Sequence, residues 1–128
     1  MTLKLIVLTV ALAAMVAAPS AGATTAPNVI NQVYVHLTDR GVMFRNTTGA
    51  HTDPWGPTSA VPRGSIAQFI VYNLSKQRRR FNIGGRATRL LAPRQREIFF
   101  IQMGVRGRVP WKSWGKNAKT FVGKIRVV

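Results

Sequence analysis

Four side chains after residue 28 carry imidazole or thioether groups, which are donors for copper and zinc. They are His36, Met43, His51 and Met103, and the chain contains no cysteine. Useful sites for these metals employ three or four ligands, and two histidines fall short of that number. The sequence therefore predicts no metal and no other cofactor, with a weak copper or zinc site at His36 and His51 as the open alternative.

The carboxylates are too few and too scattered to indicate catalysis. Asp39, Asp53 and Glu97 are the only acidic residues, and nothing in their spacing brings two of them together for general acid–base chemistry. The chain has no G-x-S-x-G motif and, without cysteine, no thiolate nucleophile. We expect a protein that is not an enzyme.

Basic residues dominate the charged groups. The chain has 19 Lys and Arg against 3 Asp and Glu, which gives a formal net charge of +16. So few carboxylates cannot neutralise the cations by internal pairing, and most basic side chains must face solvent and project a positive field. We predict a basic rim that binds through the following residues: Lys76, Arg78, Arg79, Arg80, Trp111, Lys112, Trp114 and Lys116.

The chemistry of the basic rim indicates an anionic partner. Arginine forks bind carboxylate and phosphate at two points, and a tryptophan beside them stacks on bases or sugars or anchors a protein. We expect an acidic protein or a polyanion. An anionic membrane surface is a further candidate, and secretion disfavours nucleic acid. Two simpler interpretations stay open: the basicity serves solubility alone, or Trp111 and Trp114 pack in the core.

The first 23 residues are typical of a secretory signal peptide. Lys4 precedes the apolar run LIVLTVALAAMVAA at residues 5–18, and Ala21-Gly22-Ala23 supplies the small residues that a signal peptidase reads. The run is shorter than the ~20 apolar residues that span a bilayer, although an uncleaved N-terminal anchor remains the alternative. We predict that residues 1–23 are removed and that the protein is periplasmic or extracellular.

Residues 24–32 read as a polar lead-in, and residues 33–128 predict one domain of short strands. Apolar and mixed residues alternate in VYVHLT, so Val33, Val35 and Leu37 share one face of a strand. Turn residues separate the segments at near-regular spacing, and no segment has a helical period. An all-β sandwich or barrel follows, with strands at residues 33–38, 42–45, 65–73, 80–84, 86–91, 95–103 and 119–128, of which 65–73 is expected to be buried on both faces.

The order of these segments resembles the cupredoxin family over most of the predicted domain. VPRG at residues 61–64 is a turn into a core strand that ends at Asn73, and RRFNI at residues 79–83 stands where the family has an H-x-F-x-I motif. LAP at residues 91–93 matches a proline turn, and GKIRV at residues 123–127 matches the last strand. The resemblance implies a single Greek-key β-sandwich.

The same resemblance implies that the copper ligands have been replaced. Arg79 stands at the position of the first ligand histidine, the cysteine position falls near Lys112 or Ser113, and Phe121 stands near the axial methionine. A type 1 copper site needs two imidazoles and a thiolate. The ligand loop of the family corresponds here to residues 111–122 and is expected at the same end of the sandwich as Arg79.

Together these features predict a secreted or periplasmic, non-enzymatic binding module with a metal-free cupredoxin-like fold, which recognises an acidic partner or a polyanion through its basic rim. The alternative is a copper-handling or electron-transfer accessory protein that uses a non-standard metal site at His36, His51 or the methionines. If the resemblance holds, Arg79 and residues 112–121 lie at the same pole of the sandwich.

Overall fold

The computed structural model describes residues 30–128, which form nine β-strands and one short 3-10 turn at Gly49–His51. The strands are β1 (Ile30–Leu37), β2 (Val42–Asn46), β3 (Ala60–Val61), β4 (Ile66–Asn73), β5 (Arg80–Ile83), β6 (Arg86–Ala87), β7 (Arg96–Gln102), β8 (Gly107–Gly115) and β9 (Ala118–Val127). In this part of the chain no helix is long and apolar enough to cross a membrane. The predicted signal peptide and its cleavage site lie outside the described residues, and β1 begins inside the predicted lead-in.

The strands form two sheets that pack face to face. The four-stranded sheet has the order β2-β1-β4-β7, and the five-stranded sheet has the order β3-β9-β8-β5-β6. β1 pairs in parallel with β4, and β3 pairs in parallel with β9, whereas the other pairs are antiparallel. The prediction of an all-β sandwich is confirmed.

The core lies between the sheets and consists of inward-facing residues from both. The inward residues of β1 are fully buried, as their alternation predicts. Phe44 of β2, Phe81 of β5 and Trp111 of β8 form an aromatic cluster with centroid separations of 5.3 to 6.2 Å. Because the chain has no disulfide, apolar burial at roughly 25 cal/mol per Å² must supply the stability.

Only the inner face of β4 is fully buried. Phe69 and Val71 point into the core and are buried, whereas on the outer face Ile70 is buried but Tyr72 is exposed. The prediction that residues 65–73 are buried on both faces is wrong, because Tyr72 is exposed on the outer face and Ile66 and Gln68 are only half-buried there.

Residues 111–122 form most of a β-hairpin and not the loop that the resemblance implied. β8 and β9 pair antiparallel along almost their whole length, with a local register shift between Ser113 and Gly115. Only residues 116–117 separate the two strands. The hydrogen-bond ladder on either side of this shift fixes which side chains of the hairpin face inward.

Candidate functional site

A buried arginine occupies the pole where residues 74–79 meet the β8–β9 hairpin. Arg79 is only 1% exposed, and its backbone exchanges hydrogen bonds with Leu91, donating at 3.0 Å and accepting at 2.8 Å. Its Nη1 donates to the carbonyl oxygen of Lys119 at 2.7 Å and makes a longer contact of 3.4 Å with Oγ of Ser113. The side chain therefore runs inward across β8 to reach β9.

The guanidinium of Arg79 is held without a paired carboxylate. Burial lowers its pKa, and the charge of Asp39 opposes that shift, but an arginine keeps its proton under either influence. The guanidinium carbon lies 5.1 Å from the ring centroid of Phe121, which is a cation–π distance. Nε has no hydrogen-bond partner within residues 30–128. A carbonyl, a hydroxyl and an aromatic face thus take the place of an ion pair.

Three predicted rim residues, Lys76, Arg78 and Lys116, converge on the outside of this pole. Together with Leu90 and Pro93 they line an open cleft of about 390 Å³. All three cations are exposed, and no carboxylate of residues 30–128 lies within salt-bridge distance of them. We call these three residues the basic pole.

Three other predicted rim residues, Arg80, Lys112 and Trp114, lie on the outer face of the five-stranded sheet. Arg80 of β5 is the register partner of Trp114 of β8, and Nζ of Lys112 lies 5.2 Å from the centroid of the Trp114 ring. Arg80 and Lys112 are exposed, and Trp114 is half-buried. Because successive side chains of an extended chain point to opposite sides, the side chain of Arg79 points inward and that of Arg80 points outward at the start of β5. The predicted basic rim is therefore split between two surfaces.

Arg79 and Trp111 are interior residues, and the prediction that they contribute exposed groups to the basic rim is wrong. Trp111 is 7% exposed, and its ring lies 5.3 Å from that of Phe44. A Cβ at Gly123, the cross-strand neighbour, would stand 2.5 Å from the indole, so the glycine leaves room for the ring. Trp111 shares its inward face with Ser113 along β8, a strand that was not predicted from the sequence.

The soft donors of the chain do not converge on this pole. His36 lies on the outer face of the four-stranded sheet, where its ring stacks on Trp55 at a centroid distance of 4.0 Å and where Met43 is its register partner. Burial lowers the pKa of His36. Met103 is buried in the core, and His51 ends the 3-10 turn. Across residues 30–128, no three side chains of histidine, cysteine, aspartate or glutamate come together in the manner of a metal site.

No protein-family model and no curated protein matches this chain in sequence. Solved structures do match it in shape. The periplasmic domain of subunit II of cytochrome oxidase from Bradyrhizobium japonicum is 12% identical, with 81% of this chain and 88% of that chain covered and a TM-score of 0.61. Rusticyanin is 17% identical, with 96% and 94% covered and a TM-score of 0.56. The fold is cupredoxin-like. A chain of a heme-copper terminal oxidase dimer, 14% identical with 97% and 93% covered, has a TM-score of 0.59.

Arg79, Ser113 and Phe121 meet at the pole where the cupredoxin resemblance places the ligands. Arg79 stands at the first histidine position, and its Nη1 contacts Ser113 near the cysteine position. Its guanidinium lies over Phe121, which stands near the axial methionine position. The expectation that Arg79 and residues 112–121 share one pole is confirmed.

The side chains at this cupredoxin-like pole do not fit a copper ion. A guanidinium offers hydrogen-bond donors and no lone pair for a metal, and the phenyl ring of Phe121 offers no ligand atom. The hydroxyl of Ser113 replaces the soft thiolate that type 1 copper requires. In addition, the fixed charge of Arg79 repels a metal cation. The chain has a cupredoxin-like fold, and the guanidinium of Arg79 is a fixed cation at the pole that corresponds to the copper site.

Proposed function

We propose that the protein is a periplasmic or secreted, non-enzymatic binding module with a metal-free cupredoxin-like fold, and that its basic pole binds an acidic segment of a partner protein. The observation that carries the proposal is the burial of Arg79 among the positions that correspond to copper ligands. Fixed positive charge stands there in place of metal chemistry, and the exposed cations of the basic pole extend it to the surface.

Little negative charge of the protein offsets this end of the molecule. Asp39 accepts a hydrogen bond from the backbone N–H of Lys76 at 3.1 Å, and it is one carboxylate beside four cations, namely Arg79 and the three residues of the basic pole. A carboxylate that enters the open cleft is attracted by all of them and keeps part of its hydration. Charge complementarity therefore favours an acidic partner.

The apolar lining of the cleft favours a protein segment over an extended polyanion. Leu90 and Pro93 stand between the cations, and Leu90 is exposed. A short acidic peptide with one apolar side chain can bury that side chain against Leu90 while its carboxylates meet Lys76 and Lys116. A long polyanion gains most from a continuous cationic track with stacking platforms, which a cleft of about 390 Å³ does not provide.

The test is an anisotropy titration of a dye-labelled glutamate–leucine peptide with protein purified from the periplasmic or secreted fraction. The double variant Lys76→Glu with Arg78→Glu is expected to weaken binding by at least about tenfold, because removing close charge contacts costs more than ~1.4 kcal/mol. The matched control is Arg45→Glu with Arg96→Glu, two exposed cations on the four-stranded sheet. Equal weakening in both variants would show that peptide binding depends only on the net charge of the protein, and this would contradict the proposal.

A second function, copper handling, is favoured by the pairing of His36 with Met43. Their side chains lie on one face of adjacent strands, where cross-strand Cβ atoms are roughly 5 Å apart. An imidazole beside a thioether suits Cu(I), and Trp55 covers the imidazole. A fold neighbour is a chain of a heme-copper oxidase, which supports this candidate through the fold.

Anaerobic titration with Cu(I) against a chromophoric chelator tests the second function. Binding that is lost in His36→Ala and in Met43→Leu but retained in His51→Ala would support it. Retention of Cu(I) in the first two variants, or competition too weak to measure in the wild type, would contradict it.

A further inference from the structure

The outer face of the five-stranded sheet carries a set of exposed cations that the basic pole does not include. We call it the basic sheet face; its members are Arg80, Arg108, Lys112, Lys124 and Arg126. Each of the three acidic side chains accepts hydrogen bonds from residues outside this set. Asp39 accepts from the backbone of Lys76, Asp53 accepts from Ser59 and Ala60, and Glu97 pairs with Arg89.

The strand register concentrates these charges. Arg108 of β8 stands directly opposite Arg126 of β9, and Lys124 lies two residues before Arg126 on the same face. Like charges that face each other across a strand pair destabilise a sheet. Neighbours on this face stand roughly 5 Å apart across strands and about 7 Å apart along them, so the cations form a two-dimensional array. An anionic surface laid against the face relieves this repulsion.

Apolar groups stand among the cations and are open to solvent. Val122, the register partner of Lys112, is 70% exposed, and Pro110, the register partner of Lys124, is exposed as well. Trp114 lies half-buried at one margin, beneath the ammonium of Lys112. Cations with long aliphatic stems around small apolar groups are the composition of surfaces that rest on lipid headgroups.

We propose that the basic sheet face docks the protein on a membrane surface of anionic phospholipids. The two-dimensional array of charge suits a surface of headgroups. A linear polyanion follows a single track and would engage only part of such an array. The proposal uses residues separate from the basic pole, so it holds or fails independently of the proposed function.

Electrostatics set the expected size of the effect. Each Lys or Arg near an anionic membrane contributes about 1 kcal/mol, which is roughly fivefold in partitioning. Neutralising two members of the face should therefore lower partitioning by about 25-fold, and reversing their charge should lower it further. Because the attraction is screened within a Debye length, high salt should release the protein.

The experiment is co-sedimentation of protein purified from the periplasmic or secreted fraction, its N-terminus established by mass spectrometry. Vesicles of phosphatidylglycerol with phosphatidylcholine are compared with vesicles of phosphatidylcholine alone. The test variant is Lys124→Glu with Arg126→Glu, and two matched controls carry the same charge change elsewhere: Arg45→Glu with Arg96→Glu, and Lys76→Glu with Arg78→Glu. Circular dichroism confirms that each variant is folded.

The proposal predicts sedimentation with anionic vesicles only, loss in the test variant, and retention in both controls. Val122→Ser, which leaves every charge in place, is expected to weaken sedimentation a few-fold because it removes the apolar contact. Equal losses in all three double variants would overturn the proposal in favour of net charge. Failure to sediment, or binding of duplex DNA through the same face without vesicle binding, would overturn it as well. Peptide binding at the basic pole is measured in a separate titration, and its outcome does not depend on whether the protein sediments with vesicles.

Discussion

Nη1 of Arg79 donates a 2.7 Å hydrogen bond to the carbonyl oxygen of Lys119, across the pole where the cupredoxin resemblance places copper. The contact joins the segment before β5 to β9. In a copper protein the metal ties such segments together through its ligands, whereas here one buried side chain makes the connection.

Truncating Arg79 is expected to destabilise the protein. Arg79→Ala removes the hydrogen bond to Lys119 and leaves a cavity beside Phe121, which should lower the free energy of unfolding by about 2–4 kcal/mol. Arg79→Met keeps most of the volume and buries no charge, so we expect it to lie within about 1 kcal/mol of the wild type. Urea unfolding followed by tryptophan fluorescence measures both. A loss in the methionine variant as large as that in the alanine variant would mean that the charge itself, and not the filled volume, stabilises the pole.

A methyl group at Gly123 is expected to disturb the core. The Cβ of Gly123→Ala would stand 2.5 Å from the buried indole of Trp111, so ring or backbone must shift, at about 1–3 kcal/mol in the free energy of unfolding. Gly104→Ala is the matched control, because no atom lies within 4 Å of its Cβ. Thermal unfolding compares the two variants. Equal melting temperatures would show that Trp111 does not lie over Gly123.

Stability is expected to depend on pH through His36. Burial lowers the pKa of this imidazole in the folded protein, so the unfolded chain binds the proton more readily. The free energy of unfolding should therefore be highest above the unfolded pKa of about 6.5 and fall as the pH drops through that value toward the lower folded pKa. Denaturant midpoints measured on both sides of this window test the point. His36→Gln should flatten the dependence, and an unchanged dependence in that variant would contradict the assignment to His36.

Alternation along the chain was sufficient to predict the strands whose two faces differ. β1, β2, β4, β5 and β7 lie within a few residues of the predicted segments, because each has apolar residues on the core side at a spacing of two. The predicted strand at residues 86–91 shrinks to Arg86–Ala87, where Arg86 and Ala87 are both exposed. β8 was not predicted because glycine, proline and lysine interrupt its apolar alternation. In addition, the cupredoxin resemblance predicted a ligand loop, and not a strand, at residues 111–122.

The composition of the candidate site was predictable from the sequence, but the burial of Arg79 was not. Lys76, Arg78 and Lys116 do come together, since the connection before β5 and the β8–β9 turn lie at one pole. The predicted strand at residues 80–84 begins where β5 begins, so alternation along it separates Arg79 from Arg80, but the charge of Arg79 favoured exposure and hid its burial. Which cations become neighbours within the basic sheet face depends on the strand register, and the composition of single strands does not specify that register.

Side-chain NMR of the Arg79 guanidinium tests the central claim most directly. If the group is buried against Phe121 and bonded to Lys119, its N–H protons should exchange slowly with solvent and resonate upfield through the ring current of Phe121. The same signals should vanish in Arg79→Met. Exchange as rapid as that of the exposed Arg78, with no ring-current shift, would contradict the account.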